Sequence, residues 1–182
     1  MGGSSAVKIE RIVTDKASCD FYHDVNLPSG RVEGQWDLRA NADQYLGHVD
    51  FAGKRVIDIG PASGFLSFHM ERRGAQVVCI EPPMETFWDL VPRAGVDLDA
   101  IKQGFAGHIE RIRNSFWYAH TELRSKVQLY EASAYDLPDS LGSFDIGVLG
   151  CVLLHCSCPV RIVDQVARRV QTIKSPSLSS TL

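Results

Sequence analysis

Two carboxylates and two glycines carry the chemistry that this sequence can do. In VIDIGPASGF, residues 56–65, the apolar run Val56-Ile57-Asp58-Ile59 reads as a buried strand. It enters a loop at Gly60 and leaves it at Gly64 into a helix. Glu81 follows 17 residues beyond Gly64, at the end of a second apolar run. A glycine loop between strand and helix is a nucleotide seat, because backbone can approach the ligand where no side chain intervenes. A phosphate-binding P-loop needs Lys-Ser/Thr after its last glycine; Phe65-Leu66 stand there, which excludes it. A dinucleotide loop needs G-x-G-x-x-G, and G-P-A-S-G lacks the second and third glycines at those offsets. Asp58, two positions before Gly60, would repel a pyrophosphate. It suits a ligand with a cationic amino group.

S-adenosylmethionine (SAM) is such a ligand: a nucleoside without phosphates that carries an ammonium and a sulfonium. Glu81 stands where a carboxylate can accept hydrogen bonds from both ribose hydroxyls. With these residues in view, VIDIGPASGF resembles motif I of class I SAM-dependent methyltransferases, D-x-G-x-G-x-G, with Asp58, Gly60 and Gly64 matching and Ala62 in place of the middle glycine. Glu81, followed by Pro82, is similar to the acidic motif II residue, and YEASAYDLPDSLGSFDIGVLG resembles the later segment that reads adenine. The resemblance, over roughly residues 20–170, implies a Rossmann-like three-layer α/β/α sandwich with a mostly parallel sheet. It also implies SAM as cofactor, S-adenosylhomocysteine as product, and a site of Asp58, Gly60, Ala62, Ser63, Gly64, Glu81, Pro82, Ser133, Ala134 and Gly150. GQWDLRAN and VLLHCSCPVRIVDQV look most like the group around the tRNA wobble-uridine carboxymethyltransferase, which uses carboxy-SAM. That group has a Tyr where Leu154 stands, so ordinary SAM is expected here.

The elements that must position these residues follow from hydrophobic period. Strands are expected at Arg55–Ile59, Gln76–Ile80, Val127–Tyr130 and Phe144–Leu149, with helices at Phe65–Arg73 and Pro159–Val170. Val160, Val163, Val166 and Val170 define the inner face of the second helix. Strand, helix and strand over residues 55–80 make one right-handed βαβ unit, hence a parallel sheet. Residues 82–126 exceed one crossover. They predict a helical insertion capped by Asp99 with a stripe of Ile101, Phe105, Ile109, Ile112 and Phe116, and Trp88–Gly95 ahead of it as a candidate lid. Residues 1–20 read as a mobile leader, 21–174 as the cofactor-binding domain and 175–182 as a disordered tail. Gln171–Lys174 can start a fifth strand, but the class I hairpin beyond it has no counterpart, so the fold reads as C-terminally shortened. The bare edge invites a homodimer.

Methyl transfer from a sulfonium needs alignment and dryness more than a base. His155 is the sequence's candidate base; Tyr22 and Trp36 are candidates for the acceptor side. The expected acceptor is a small molecule. A truncated, non-catalytic SAM-binding scaffold and a tRNA methyltransferase are the alternatives. A net charge of −3 with only short Arg clusters argues against a nucleic-acid partner. Hydrophobic content of 45% and charged content of 23% are those of a globular domain. No apolar run approaches membrane-spanning length. Five irregularly spaced cysteines suggest reduced thiols, a cytoplasmic location and no metal site.

Overall fold

In the computed structural model, residues 5–86, 91 and 94–174 are described. The chain runs β1 (Val7–Ile9), β2 (Val25–Leu27), β3 (Gly30–Val32), α1 (Ala42–Tyr45), β4 (Arg55–Ile59), α2 (Phe65–Arg72), β5 (Gln76–Glu81) and α3 (Leu98–Leu123). It continues through β6 (Gln128–Glu131), β7 (Phe144–Val148), α4 (Pro159–Ala167) and β8 (Val170–Lys174). Six strands form one sheet in the order β1-β6-β5-β4-β7-β8. All pairs are parallel except β1 on β6. β2 and β3 make a separate hairpin.

β4 is the axis of the sheet, and its composition explains why. Val56, Ile57 and Ile59 are almost wholly buried, as a strand covered on both faces requires. Val56 faces the layer of α2 and α3 with Phe65, Phe68, Phe116 and Trp117. Ile57 and Ile59 face Ile162 and Val166 of α4. The fold is thus α/β, a three-layer sandwich around a mostly parallel, Rossmann-like sheet. From β4 the chain winds outward through β5 and β6, then returns to β7 on the opposite flank. Sheet order therefore reverses between β4 and β7, and open α/β sheets place their ligand crevice at the carboxyl ends there.

Several sequence expectations need correction. The first residues are not simply a leader, because Val7–Ile9 pair with Leu129–Glu131 and cover the β6 edge. The strand that Gln171–Lys174 is expected to start does form, beginning one residue earlier as β8 and pairing with β7. α4 ends at Ala167, so Val170 belongs to β8 and not to the helix. Its inner face is Ile162 and Val166, while Val160 is 77% exposed. The cap of α3 is Asp97, whose Oδ1 accepts the Ala100 N–H at 3.0 Å, and not Asp99. Of the predicted stripe, Ile112 and Phe116 are buried, but Phe105 is 43% exposed, and all the buried residues of α3 lie in its second half. The candidate lid, Trp88–Gly95, and the tail at 175–182 fall wholly or largely outside the described residues.

The segment before β4 does the work that sequence reading gave to a leader. It is strapped along α3: the Arg111 guanidinium donates to the carbonyls of Ala17 (3.0 Å) and Cys19 (2.9 Å), and Asn114 to that of Ser18 (3.1 Å). The Ser115 hydroxyl accepts the Asp20 N–H at 2.8 Å. His108 lies 2.8 Å from the Asp20 carboxylate. From this anchor the chain reaches over the end of β4.

Candidate active site

The site is built at the carboxyl end of β4, where two carboxylates and a tight loop meet. Asp58 is 2% exposed and accepts a hydrogen bond from the Ser67 hydroxyl at 2.7 Å. Burial pushes its carboxyl up to about 6, against which the Ser67 bond is a smaller opposing effect. Glu81 ends β5 in register beside β6. Burial pushes it up to about 7, opposed by the Arg113 guanidinium and the Ala62 N–H. Arg113, itself buried, reaches from α3 to Glu131 at 3.3 Å and to the Pro82 carbonyl. Both acids are therefore held at an electrostatic cost to the fold, the usual mark of a functional site.

Between them the loop has no room for side chains. A Cβ on Gly64 would lie 2.5 Å from Phe68 and 2.7 Å from Phe116, and one on Gly60 2.9 Å from Val152. Both glycines hold positive φ, 83° and 71°. Ala62 also holds positive φ, 51°, which supports reading it as the occupant of a glycine position. Ser63 is buried, and its hydroxyl accepts the His23 N–H at 3.2 Å, tying the loop to the N-terminal segment.

A cleft with about 470 Å³ of empty volume opens beside this loop. Its floor is Asp58, Gly60, Ala62 and Leu66, with Gly150 and Cys151 from the end of β7. Its roof is Tyr22, His23, Trp36 and Leu38 from the N-terminal segment, and Tyr45 closes one side. Cys151 takes positive φ, 59°, and its thiol lies 3.2 Å from the Tyr45 hydroxyl. Burial raises the Tyr45 hydroxyl far above its usual value, so it stays protonated. A second, smaller cleft of about 300 Å³ lies beyond Ala62, around Glu81, Arg113 and Glu131. The two openings share Ala62.

The roof owes its shape to one glycine and one acid. A Cβ on Gly34 would meet the His23 carbonyl carbon at 2.4 Å, so only glycine permits the close pass of these two strands of chain. Asp24 accepts the Gly34 N–H at 2.8 Å and the Arg31 guanidinium at 2.7 Å, and these bonds hold its carboxyl below its usual value. The Trp36 carbonyl accepts the Asp24 N–H at 2.9 Å.

Of the residues read from sequence, Asp58, Gly60, Ala62, Gly150, Tyr22 and Trp36 line the larger cleft. Glu81 lines the smaller one. Gly64 shapes the loop from behind, and the Pro82 carbonyl is engaged by Arg113. Ser133 and Ala134 occupy the turn after β6, where the Ser133 hydroxyl accepts the Tyr135 N–H at 3.2 Å; neither lines either of these two clefts. His155 is exposed on the short 3-10 turn Val152–His155 and lies outside the cleft lining. His23, Leu38, Tyr45, Pro61, Leu66 and Cys151 are the lining residues that sequence reading did not assign to the site. Positions 22 and 23 are adjacent, yet only Tyr22 stood out, because a lone histidine in a polar stretch has no spacing to mark it. Among the described residues no group of three metal-ligating side chains converges. No helix among them is long and apolar enough to cross a membrane.

No protein-family profile and no curated protein matches this sequence. Solved structures do match its fold. The N-terminal domain of EvdMO1, determined with S-adenosylhomocysteine bound, aligns over 88% of this chain and 60% of its own, with 18% identity and a TM-score of 0.53. PH1948 from Pyrococcus horikoshii, provisionally described as an RNA methyltransferase, aligns over 75% of this chain and 58% of its own, with 15% identity and a TM-score of 0.51. The chain thus spans about three fifths of the length of these structures.

Proposed function

We propose that this chain binds SAM and transfers its methyl group to a small-molecule acceptor. One observation carries the reading most. A buried carboxylate, Asp58, whose hydrogen-bond donor is the neutral Ser67 hydroxyl and which has no cationic partner among the described residues, stands at the head of a loop whose two glycines leave no room for a Cβ. An ammonium brought to that place would relieve the burial penalty; a pyrophosphate would aggravate it. Asp58 would thus hold the amino group of the cofactor, and Gly60, Ala62 and Gly150 would border its methionine portion. Glu81, across Ala62, is the acid placed to accept from ribose hydroxyls. The bound cofactor supplies a methyl carbon on a positively charged sulfur, and the chain's task is alignment and exclusion of water.

The small-acceptor reading is supported by what lines the larger cleft. Asp58 is the one carboxylate among the described residues that line it, and no Lys or Arg is among them, an arrangement unsuited to a polyanion. The fold likeness to proteins of the methyltransferase kind is consistent with this chemistry. Thermal denaturation with each ligand at a hundred times its expected dissociation constant tests the reading. SAM and S-adenosylhomocysteine should each stabilise by about 2.7 kcal/mol, and NAD not at all. Stabilisation by NAD alone would overturn it.

A further inference from the structure

One side chain beside the glycine loop is polar where its neighbours are apolar. Ser67 lies in α2 among Phe65, Leu66, Phe68 and Met70, and like them it is buried. Alanine would fill that place with no hydroxyl to strip of water, so the serine needs a bonded role. Sheet register supplies one. Asp58 on β4 stands directly opposite Cys79 on β5, under the layer that α2 contributes. The Cys79 thiol donates to the Ser67 hydroxyl oxygen at 3.3 Å, and the Ser67 hydroxyl donates to Asp58 Oδ2 at 2.7 Å. With the serine oxygen accepting from sulfur, its single proton is turned to the carboxylate. Asp58 lines the larger cleft, and among the described residues its Oδ1 is not one of the sealed side-chain atoms that lack a partner. Oδ1 is therefore the oxygen open to a ligand.

The other groups around Asp58 do not favour its anion. Among the described residues the titratable ones are Cys79 and Glu81 of β5, Tyr45 of α1, and Tyr22, His23 and Cys151 of the cleft lining. Burial keeps the Cys79 thiol and the Tyr45 hydroxyl protonated and His23 uncharged at neutral pH, and Glu81 is a like charge when ionised. We propose that Ser67 is the positioning residue of the cofactor site: its hydroxyl engages Asp58 Oδ2, keeps the carboxylate ionised and leaves Oδ1 turned to the ammonium of the ligand. The inference rests on the SAM reading and adds the group that keeps the acid charged. Burial pushes the Asp58 carboxyl up to about 6, and the Ser67 bond opposes that rise. Without the hydroxyl the folded value would rise further, and more of the protein would carry a neutral acid that attracts no ammonium. A hydrogen bond to a charged group is strong enough to move that value by about one pH unit.

Two readouts test this on wild type and Ser67→Ala. Carbon NMR of the Asp58 carboxyl in the ligand-free protein should give a midpoint of about 6 in wild type and about one pH unit higher in the variant. Calorimetric titration with S-adenosylhomocysteine should show the variant binding about tenfold more weakly than wild type at pH 5.5, and within about threefold at pH 8. Glu81 titrates in the same range but is shared by both proteins, so the difference between them reports Asp58. In an Asp58→Asn background Ser67→Ala should have no pH-dependent effect. An unmoved carboxyl midpoint, or equal weakening at both pH values as a packing defect would give, overturns the role of Ser67 and leaves the cofactor reading intact. Failure of wild type to bind S-adenosylhomocysteine at either pH overturns both. If Ser67→Ala does not fold, proton NMR of wild type decides. The Ser67 hydroxyl proton should be visible, slow to exchange and shifted as Asp58 titrates; one that is absent or indifferent to pH contradicts the proposal.

Discussion

Asp58 is where the fold gives up stability to keep a carboxyl group buried. Its carboxyl titrates near 6 in the folded chain because burial disfavours the anion. A carboxyl raised in this way has no effect where both states are protonated, below about pH 4. Its penalty grows as pH rises through the folded value and is complete by about pH 7. Asp58→Asn should therefore leave stability unchanged near pH 3.5 and raise it by about 2–3 kcal/mol at pH 7.5, read by urea denaturation at both pH values. The same variant should lose cofactor affinity. Ala62 offers a milder case: its left-handed φ of 51° is strained for any residue with a Cβ. Ala62→Gly should stabilise by about 1 kcal/mol and leave cofactor binding within twofold, measured by denaturation and titration. Both residues were legible in the sequence because their spacing to Gly60 and Gly64 is fixed by the loop. His23 was not, since its place in the cleft lining depends on a contact with Ser63, 40 positions away.

At the scale of elements, the informative one is the segment that crosses over β4. Its order comes from α3, through Arg111, Asn114 and Ser115, and from the internal clamp of Asp24 on Gly34 and Arg31. None of these pairs has a sequence period, so residues 1–20 and the polar stretch after them could only be read as leader and loop. The regular elements were legible because burial on both faces of β4 and β5 forces continuous apolar runs. The ends of α3 and α4 were not, since helix ends depend on caps and on how far a helix outruns its sheet. Gly34→Ala tests the crossing segment directly. The added methyl would meet backbone at 2.4 Å, and backbone cannot rotate away as a side chain can. The variant should lose about 2–3 kcal/mol and become susceptible to limited proteolysis within residues 21–39, while β4 and α2 stay protected in hydrogen exchange.

For the whole molecule, topology turns separate signals into one site. The reversal of sheet order at β4 brings Asp58 from one strand and Gly150-Cys151 from another to a single crevice. β1 covers one edge of the sheet, and β8 forms the other edge among the described residues. The residues that line the larger part of the crevice include Asp58 and several aromatic rings but no Lys or Arg, which bears on the charge of the ligand it can take. The account depends on one claim above all, that the two burdened acids, Asp58 and Glu81, exist to hold SAM. Calorimetric titration of S-adenosylhomocysteine into wild type, Asp58→Asn and Glu81→Ala at pH 7.5 addresses it most directly. The account predicts micromolar binding to wild type and at least a tenfold loss in each variant, with both variants folded. Wild-type affinity retained in both variants, or no binding by wild type, would contradict it.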